Sequence, residues 1–284
     1  LLSTRENGQV VDIHPVISDF NYAVAYTLID GEAYLLDAAE KFLPFGMLPF
    51  RCLSDKVRVM DPERSFWMEV PSNAKFREVS QLKLALDGDA VLKGSYISYK
   101  YGYDALSHRQ QTGSIRESDY VSSLENKHDG IRILNYKSRN LDTLENPFIE
   151  EYDVEIRSLA GGNGGNIYLP VFLLNKVDKN PFKLKERYYP VNFGAAREMQ
   201  RLVVIDLPEN YKLGSLPEPV GIALPGNGGR FVMTVQDGKG QVTIVSRIHL
   251  NKAIYSPQEY HYVKEMFNRI VQAHAATLVL EPVQ

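Results

Sequence analysis

The chain has 284 residues, 44% hydrophobic and 24% charged, with a net charge of −3. That length and composition allow one large soluble domain or two ordinary ones, and the near-neutral charge gives no field favouring nucleic acid or an anionic membrane. No apolar stretch approaches the roughly 20 residues of a spanning helix, and a single cysteine, Cys52, excludes an intrachain disulfide and a thiolate metal cage.

Asp30-Gly31 lies between Asn21–Ile29 and Glu32–Leu36 and predicts a tight hairpin. With a two-residue turn, Ile29 faces Glu32, Val24 faces Asp37 and Tyr22 faces Ala39. Tyr22 and Asp37 are then diagonal neighbours on one face, within reach of long side chains. Asp61-Pro62, within 59–65, marks a boundary between a unit of residues 1–60 and one of 61–284. The first unit holds one clear hairpin and too little else for an independent core. It is expected to be the tail of a domain whose front half precedes Leu1.

In the second unit, Asp87-Gly88 predicts a hairpin between Glu78–Leu86 and Asp89–Tyr99, with Leu82, Leu84 and Leu86 on one face. Ser114-Ile115-Arg116-Glu117 reads as a capping box opening a short helix with Ile115, Val121 and Leu124 on its apolar side. Strands are expected at Gly130–Tyr136, Phe148–Ser158, Ile167–Leu174, Gln200–Leu207, Gly229–Gln236 and Gln241–Leu250. Ser256-Pro257-Gln258-Glu259 opens a second helix, on which Tyr260, Val263, Phe267, Ile270, Val271 and His274 recur at helical spacing. Thr277–Leu280 closes the chain as a strand.

Weaker signals have structural readings. Gly161-Gly162-Asn163-Gly164-Gly165 lacks the Lys-Ser/Thr of a phosphate loop and precedes a strand, so it reads as a hairpin loop, as does Pro225-Gly226-Asn227-Gly228-Gly229. His128-Asp129 reads as a turn, and His261 and His274 fall on different sides of their helix. The histidines make no metal site by spacing, and no cofactor is expected. Glu150-Glu151-Tyr152-Asp153 reads as a solvated strand edge. Tyr96, Tyr99, Tyr101 and Tyr103, with Tyr188-Tyr189, are expected in the core with hydrogen-bonded tips; exposed, they would line a glycan- or peptide-binding face.

The segments Phe20-Asn21-Tyr22-Ala23-Val24-Ala25, Ile29-Asp30-Gly31, Tyr34-Leu35-Leu36-Asp37-Ala38 and Pro44-Phe45-Gly46-Met47-Leu48-Pro49 resemble the second half of a bacterial transglutaminase-like domain. Gly102-Tyr103-Asp104-Ala105, Leu207-Pro208-Glu209-Asn210-Tyr211 and Leu216-Pro217-Glu218-Pro219-Val220 resemble the uncharacterised β-rich region that follows such domains in Bacteroidetes-type proteins. The resemblance implies a Cys-His-Asp triad in which Asp37 holds the acid position, Tyr22 stands where the histidine belongs, and the cysteine precedes Leu1. A phenol is a poor base at neutral pH: depressing Tyr22 by about 3 units would cost about 4 kcal/mol, and Asp37 would push it the other way. A degenerate triad follows. Cys52 has no histidine at a motif-like spacing and reads as a small buried hydrophobe, and His14 reads as a solvated loop residue.

The expected fold is therefore mainly β (α+β): the strand tail of a transglutaminase-like domain, then a β-sandwich-like domain with a C-terminal helix. The leading functional expectation is a non-catalytic interaction or scaffold fragment whose partner is a protein or a glycan. The alternatives are part of an active cysteine peptidase or acyl transferase with its nucleophile upstream, and a glycan-binding accessory domain. The resemblance alone implies export to the periplasm or cell surface.

Overall fold

A computed structural model describes residues 1–284 except 12, 72–73, 88–90, 128–129, 158–159, 162–164, 239 and 284. Asp30 and Gly31 take positive φ (52° and 84°), as the turn of a two-residue hairpin requires, and join β1 (Ala25–Ile29) to β2 (Glu32–Leu36). Ile29 faces Glu32 and Ala25 faces Leu36, the register expected from sequence. A second hairpin pairs β3 (Lys56–Val59) with β4 (Phe66–Glu69), and Asp61-Pro62 lies in its connection, where a proline without an N–H leaves no ladder bond unmade. Leu2, Leu35, Leu48, Cys52, Val57 and Val59 are buried together between these elements, with Met68 of β4 packed against them.

The chain continues through β5 (Phe76–Leu86), β6 (Leu92–Tyr101), α1 (Gly102–Thr112), α2 (Glu117–Glu125), β7 (Ile131–Arg139) and β8 (Phe148–Ile156). Next come β9 (Ala160–Gly161), β10 (Ile167–Pro170), β11 (Val191–Asn192), β12 (Arg197–Asp206), β13 (Tyr211–Ser215), β14 (Val220–Leu224), β15 (Gly229–Asp237) and β16 (Gln241–Leu250). A short β17 (Ile254–Tyr255), α3 (Tyr260–His274) and β18 (Thr277–Pro282) complete it.

Eight strands form the main sheet in the order β14-β15-β16-β12-β5-β6-β8-β7. Neighbours are antiparallel except β5 and β12, which run parallel along the whole of β12. Residues two apart share a face, so Leu82, Leu84 and Leu86 of β5, Val203 and Ile205 of β12, and Val242, Ile244 and Ile248 of β16 make one buried surface. A smaller sheet, β13-β18-β10-β9, contributes Leu169, Leu278 and Leu280 to the same core, and α3 contributes Val263, Phe267 and Ile270. The protein is mainly β: these two sheets and the C-terminal helix share the largest core, beside the smaller one under the N-terminal hairpins. Before α3, the Ser256 amide donates to Glu259 Oε2 (2.9 Å), as the capping box predicts.

Several elements depart from expectation. The helix expected from Ser114 starts at Glu117 with Arg116 as N-cap, because Ser114 Oγ donates to the Gln111 carbonyl (2.9 Å) at the end of α1. Helix α1 itself carries no clear sequence signal. Its entry depends on Gly102 at φ 54°, where an added Cβ would meet the Lys75 carbonyl oxygen at 2.2 Å. The strand expected over Ile167–Leu174 stops at Pro170, which has no N–H to continue it. Leu86 pairs with Leu92, but Gly88 of the expected Asp87-Gly88 turn lies outside the described residues, as do His128-Asp129 and 162–164 of the glycine loop. The Pro225–Gly229 segment is the β14–β15 hairpin connection.

Candidate functional site

The two residues singled out by the hairpin register meet. Tyr22 leads into β1 and Asp37 follows β2, and the Tyr22 hydroxyl donates to Asp37 Oδ2 (2.7 Å). Asp37 Oδ1 accepts the Ala39 amide (2.7 Å), so both carboxylate oxygens are engaged. Arg51 Nη2 donates to the Tyr22 oxygen (2.7 Å) and Nη1 to Glu40 Oε1 (2.5 Å), while its guanidinium lies over the Tyr22 ring, 4.9 Å from the centroid. Glu40 Oε2 accepts from Gln110 Nε2 of α1 (2.8 Å), which ties this network to the main domain. The hydrogen bond to Asp37, with burial, raises the Tyr22 phenol above its ordinary range, although Arg51 pulls the other way. The phenol is thus held as a proton donor to a carboxylate, the opposite of a general base.

Cys52 belongs to the same small core and is fully buried. Burial pushes its thiol up to about 11, with Arg51 as an opposing influence too weak to reverse it. His14 is exposed and, among the described residues, makes no hydrogen bond to Tyr22, Asp37 or Cys52. A maleimide at neutral pH is therefore expected to leave Cys52 unlabelled in the folded chain and to label it in concentrated guanidinium; rapid native labelling would contradict this thiol environment. Among the described residues no group of three or more His, Cys, Asp or Glu side chains could hold a metal ion.

A second cluster was not anticipated. Strand register sets Ser246 of β16, Arg201 of β12, Ser80 of β5, Ser98 of β6 and Glu150 of β8 in one row across five adjacent strands. All five are buried. Glu150, expected on a solvated edge, is 4% exposed because β7 lies outside β8 and takes the edge position. Glu151 and Asp153 point to the opposite face, where they bond Arg139 and Asn135.

Lys100, 2% exposed, donates to Glu150 Oε2 and to Ser98 Oγ (2.6 Å). Tyr120 of α2 and Tyr136 of β7 donate to Glu150 Oε1 at 2.6 and 3.2 Å. Burial alone would raise the Glu150 carboxyl, but Lys100 and Tyr120 outweigh it and hold the group below the ordinary carboxylate range. At the far end of the row, His274 Nδ1 accepts the Val177 amide (3.1 Å), which leaves the proton on Nε2 to be donated to Ser246 Oγ (3.0 Å). Burial, reinforced by Arg201, lowers His274 to about 3.

The tyrosines divide. Tyr96 and Tyr103 are buried, and Tyr96 stacks on Tyr152 at 4.7 Å between centroids, whereas Tyr188 and Tyr189 are exposed. His261 is exposed on the side of α3 away from buried His274.

Residues 165–280 match a family model, DUF3858, described as a domain of unknown function with a solved structure. That segment contains Arg201, Ser246 and His274 but neither Tyr22, Asp37 nor Glu150. A crystal structure from Parabacteroides distasonis, described as a "putative protease", aligns with a TM-score of 0.40 at 14% identity, covering 92% of this chain and 35% of that one. The chain therefore spans 35% of the length of that solved structure. No curated protein matches the chain.

Proposed function

We propose that this chain is a non-catalytic interaction fragment of a degenerate transglutaminase-like protein. In this reading the hairpin that would orient a catalytic base serves to brace the N-terminal unit against α1. One observation carries it. Tyr22, Asp37, Arg51 and Glu40 form a chain of hydrogen bonds in which the residue at the histidine position donates its proton to the acid. A triad needs that position to accept a proton from a nucleophile while the acid orients it. The phenol, raised and bonded on both sides, does neither, and the nearby thiol is buried and raised. A binding role is supported by apolar side chains left on the surface: Val11, Ile13, Val16 and Ile17 of one loop of the N-terminal unit are all exposed.

The test uses the whole reading frame that contains these residues, assayed for peptide hydrolysis and for amine incorporation into a glutamine-bearing peptide. Background rates are expected, unchanged in Asp37→Asn. A rate above background that falls in Tyr22→Phe or Asp37→Asn would overturn the proposal, because it would give this pair a catalytic part.

A further inference from the structure

We propose that the cleft above the polar row of the main sheet binds a small organic anion, with its oxyanion on Arg201. The cleft has a volume of about 270 Å³ and lies between the inward face of the sheet, α1, α2 and the segment around Asn175. At about 30 Å³ per water, it has room for roughly nine waters, or for a compact organic acid or phosphate ester.

Arg201 marks the binding point. The side chain is 8% exposed, and it lines the cleft. Its Nε and Nη1 are buried and have no hydrogen-bond partner among the described residues. Nη2 has only the Met199 sulfur, at 3.8 Å. A guanidinium carries five donors in a fixed fork and does not shed its charge, so leaving it buried and unpaired is among the costlier arrangements in a protein. The carboxylates nearby do not relieve it. Glu150 is filled by Lys100, Tyr120 and Tyr136, and Glu78 accepts from Tyr96 (3.4 Å), with no ion pair from either to Arg201. An incoming oxyanion supplies what the fold withholds.

The rest of the cleft suits such a ligand. Four cations line it (Lys100, Lys127, Lys176 and Arg201) against two carboxylates, Glu78 and Glu150. Lys127 and Lys176 are exposed at the mouth, where they draw an anion inward. Tyr152, Leu124, Ile131 and Ile133 form apolar walls, so the ligand carries a compact apolar body behind its charged head.

The 284-residue chain is titrated by calorimetry at low ionic strength, in a cationic buffer, with benzoate, inorganic phosphate and the neutral benzamide. Saturable binding of benzoate or phosphate with a Kd of about 1 mM or tighter, weakened about tenfold or more in Arg201→Met, is expected; the tighter of the two names the head group. Lys127→Glu with Lys176→Glu, at the exposed mouth, should weaken it severalfold without disturbing the fold, which keeps the test valid if Arg201→Met does not fold. The proposal is overturned if the wild type binds neither anion, if benzamide binds as well as benzoate, or if the variants bind like the wild type. It is independent of the triad reading: anion binding can fail with the hairpin inert, or succeed in an active enzyme.

Discussion

Lys100→Met is expected to destabilise the protein by about 3–5 kcal/mol in urea unfolding at neutral pH. Lys100 and Glu150 are 2% and 4% exposed and bond directly to one another on the inward face of β6 and β8. Removing the ammonium leaves the buried Glu150 carboxylate without its ion-pair partner, held only by the hydroxyls of Tyr120 and Tyr136. Its carboxyl pKa must then rise, and a folded-state carboxyl raised above its unfolded value loses stability as pH climbs through the raised value. The deficit of Lys100→Met should accordingly be smaller near about pH 5 than near about pH 8. Adding Glu150→Gln removes the stranded charge while its amide oxygen still accepts from both tyrosines. The double variant should regain most of the loss, to within about 1 kcal/mol of wild type. A single variant as stable as wild type, or a double variant no better than the single, would refute the buried pair.

The second large effect is a pH dependence set by His274. Buried against Phe172 and hydrogen-bonded through both ring nitrogens, it is lowered to about 3 by burial and by Arg201. A base depressed on folding binds its proton more readily when unfolded. Stability from this group is therefore complete above its unfolded pKa of about 6.5 and drains away as pH falls towards 3. The full span corresponds to about 5 kcal/mol, with a slope approaching about 1.4 kcal/mol per pH unit. Asp104 acts in the opposite sense: burial and Glu78 raise it to about 6, so its contribution falls as pH rises from about 4 to 6. Comparison with His274→Gln separates the two, since only the histidine is lost. The stability difference between wild type and variant should grow with pH between about 3 and 6.5, with a slope close to one proton, whatever Asp104 adds to both. Equal slopes would mean that His274 takes its proton inside the folded protein.

The sequence carried the fold's local chemistry well where a turn had one solution. Asp30-Gly31 set the first hairpin and its register, and that register alone brought Tyr22 to Asp37. The C-terminal helix was legible because its box and its apolar stripe agree, down to His274 on the buried side. Helix α1 was not, since its buried residues Tyr103, Ala105, Leu106 and Arg109 include a charged one and leave no clean apolar stripe. The β3–β4 hairpin was hidden by its short strands.

The polar row was missed for a different reason. Each member is ordinary within its own strand, and only the pairing of five strands puts them side by side. Parity held a clue: Ser80 precedes Leu82, Leu84 and Leu86 on the same face of β5, and Arg201 precedes Val203 and Ile205 on the same face of β12. A polar side chain on the inward parity of an apolar strand is a buried polar group in waiting. Reading Glu150 as part of an acidic run obscured that it alternates with Tyr152, Val154 and Ile156.

The parallel pair of the main sheet, β5 with β12, joins strands more than a hundred residues apart along the chain. On a ribosome adding roughly 5–20 residues per second, β5 emerges several seconds before the partner that covers its edge. Until then Phe76–Leu86 offers a long, leucine-bearing strand with one side unpaired, the kind of template that recruits other chains. The same seam means that residues 165–280, produced alone, would expose the ten-residue margin of β12 in its place. Neither half is a safe fragment: this sheet is closed only by the meeting of its two halves, and its biogenesis favours whatever shields β5 during the wait.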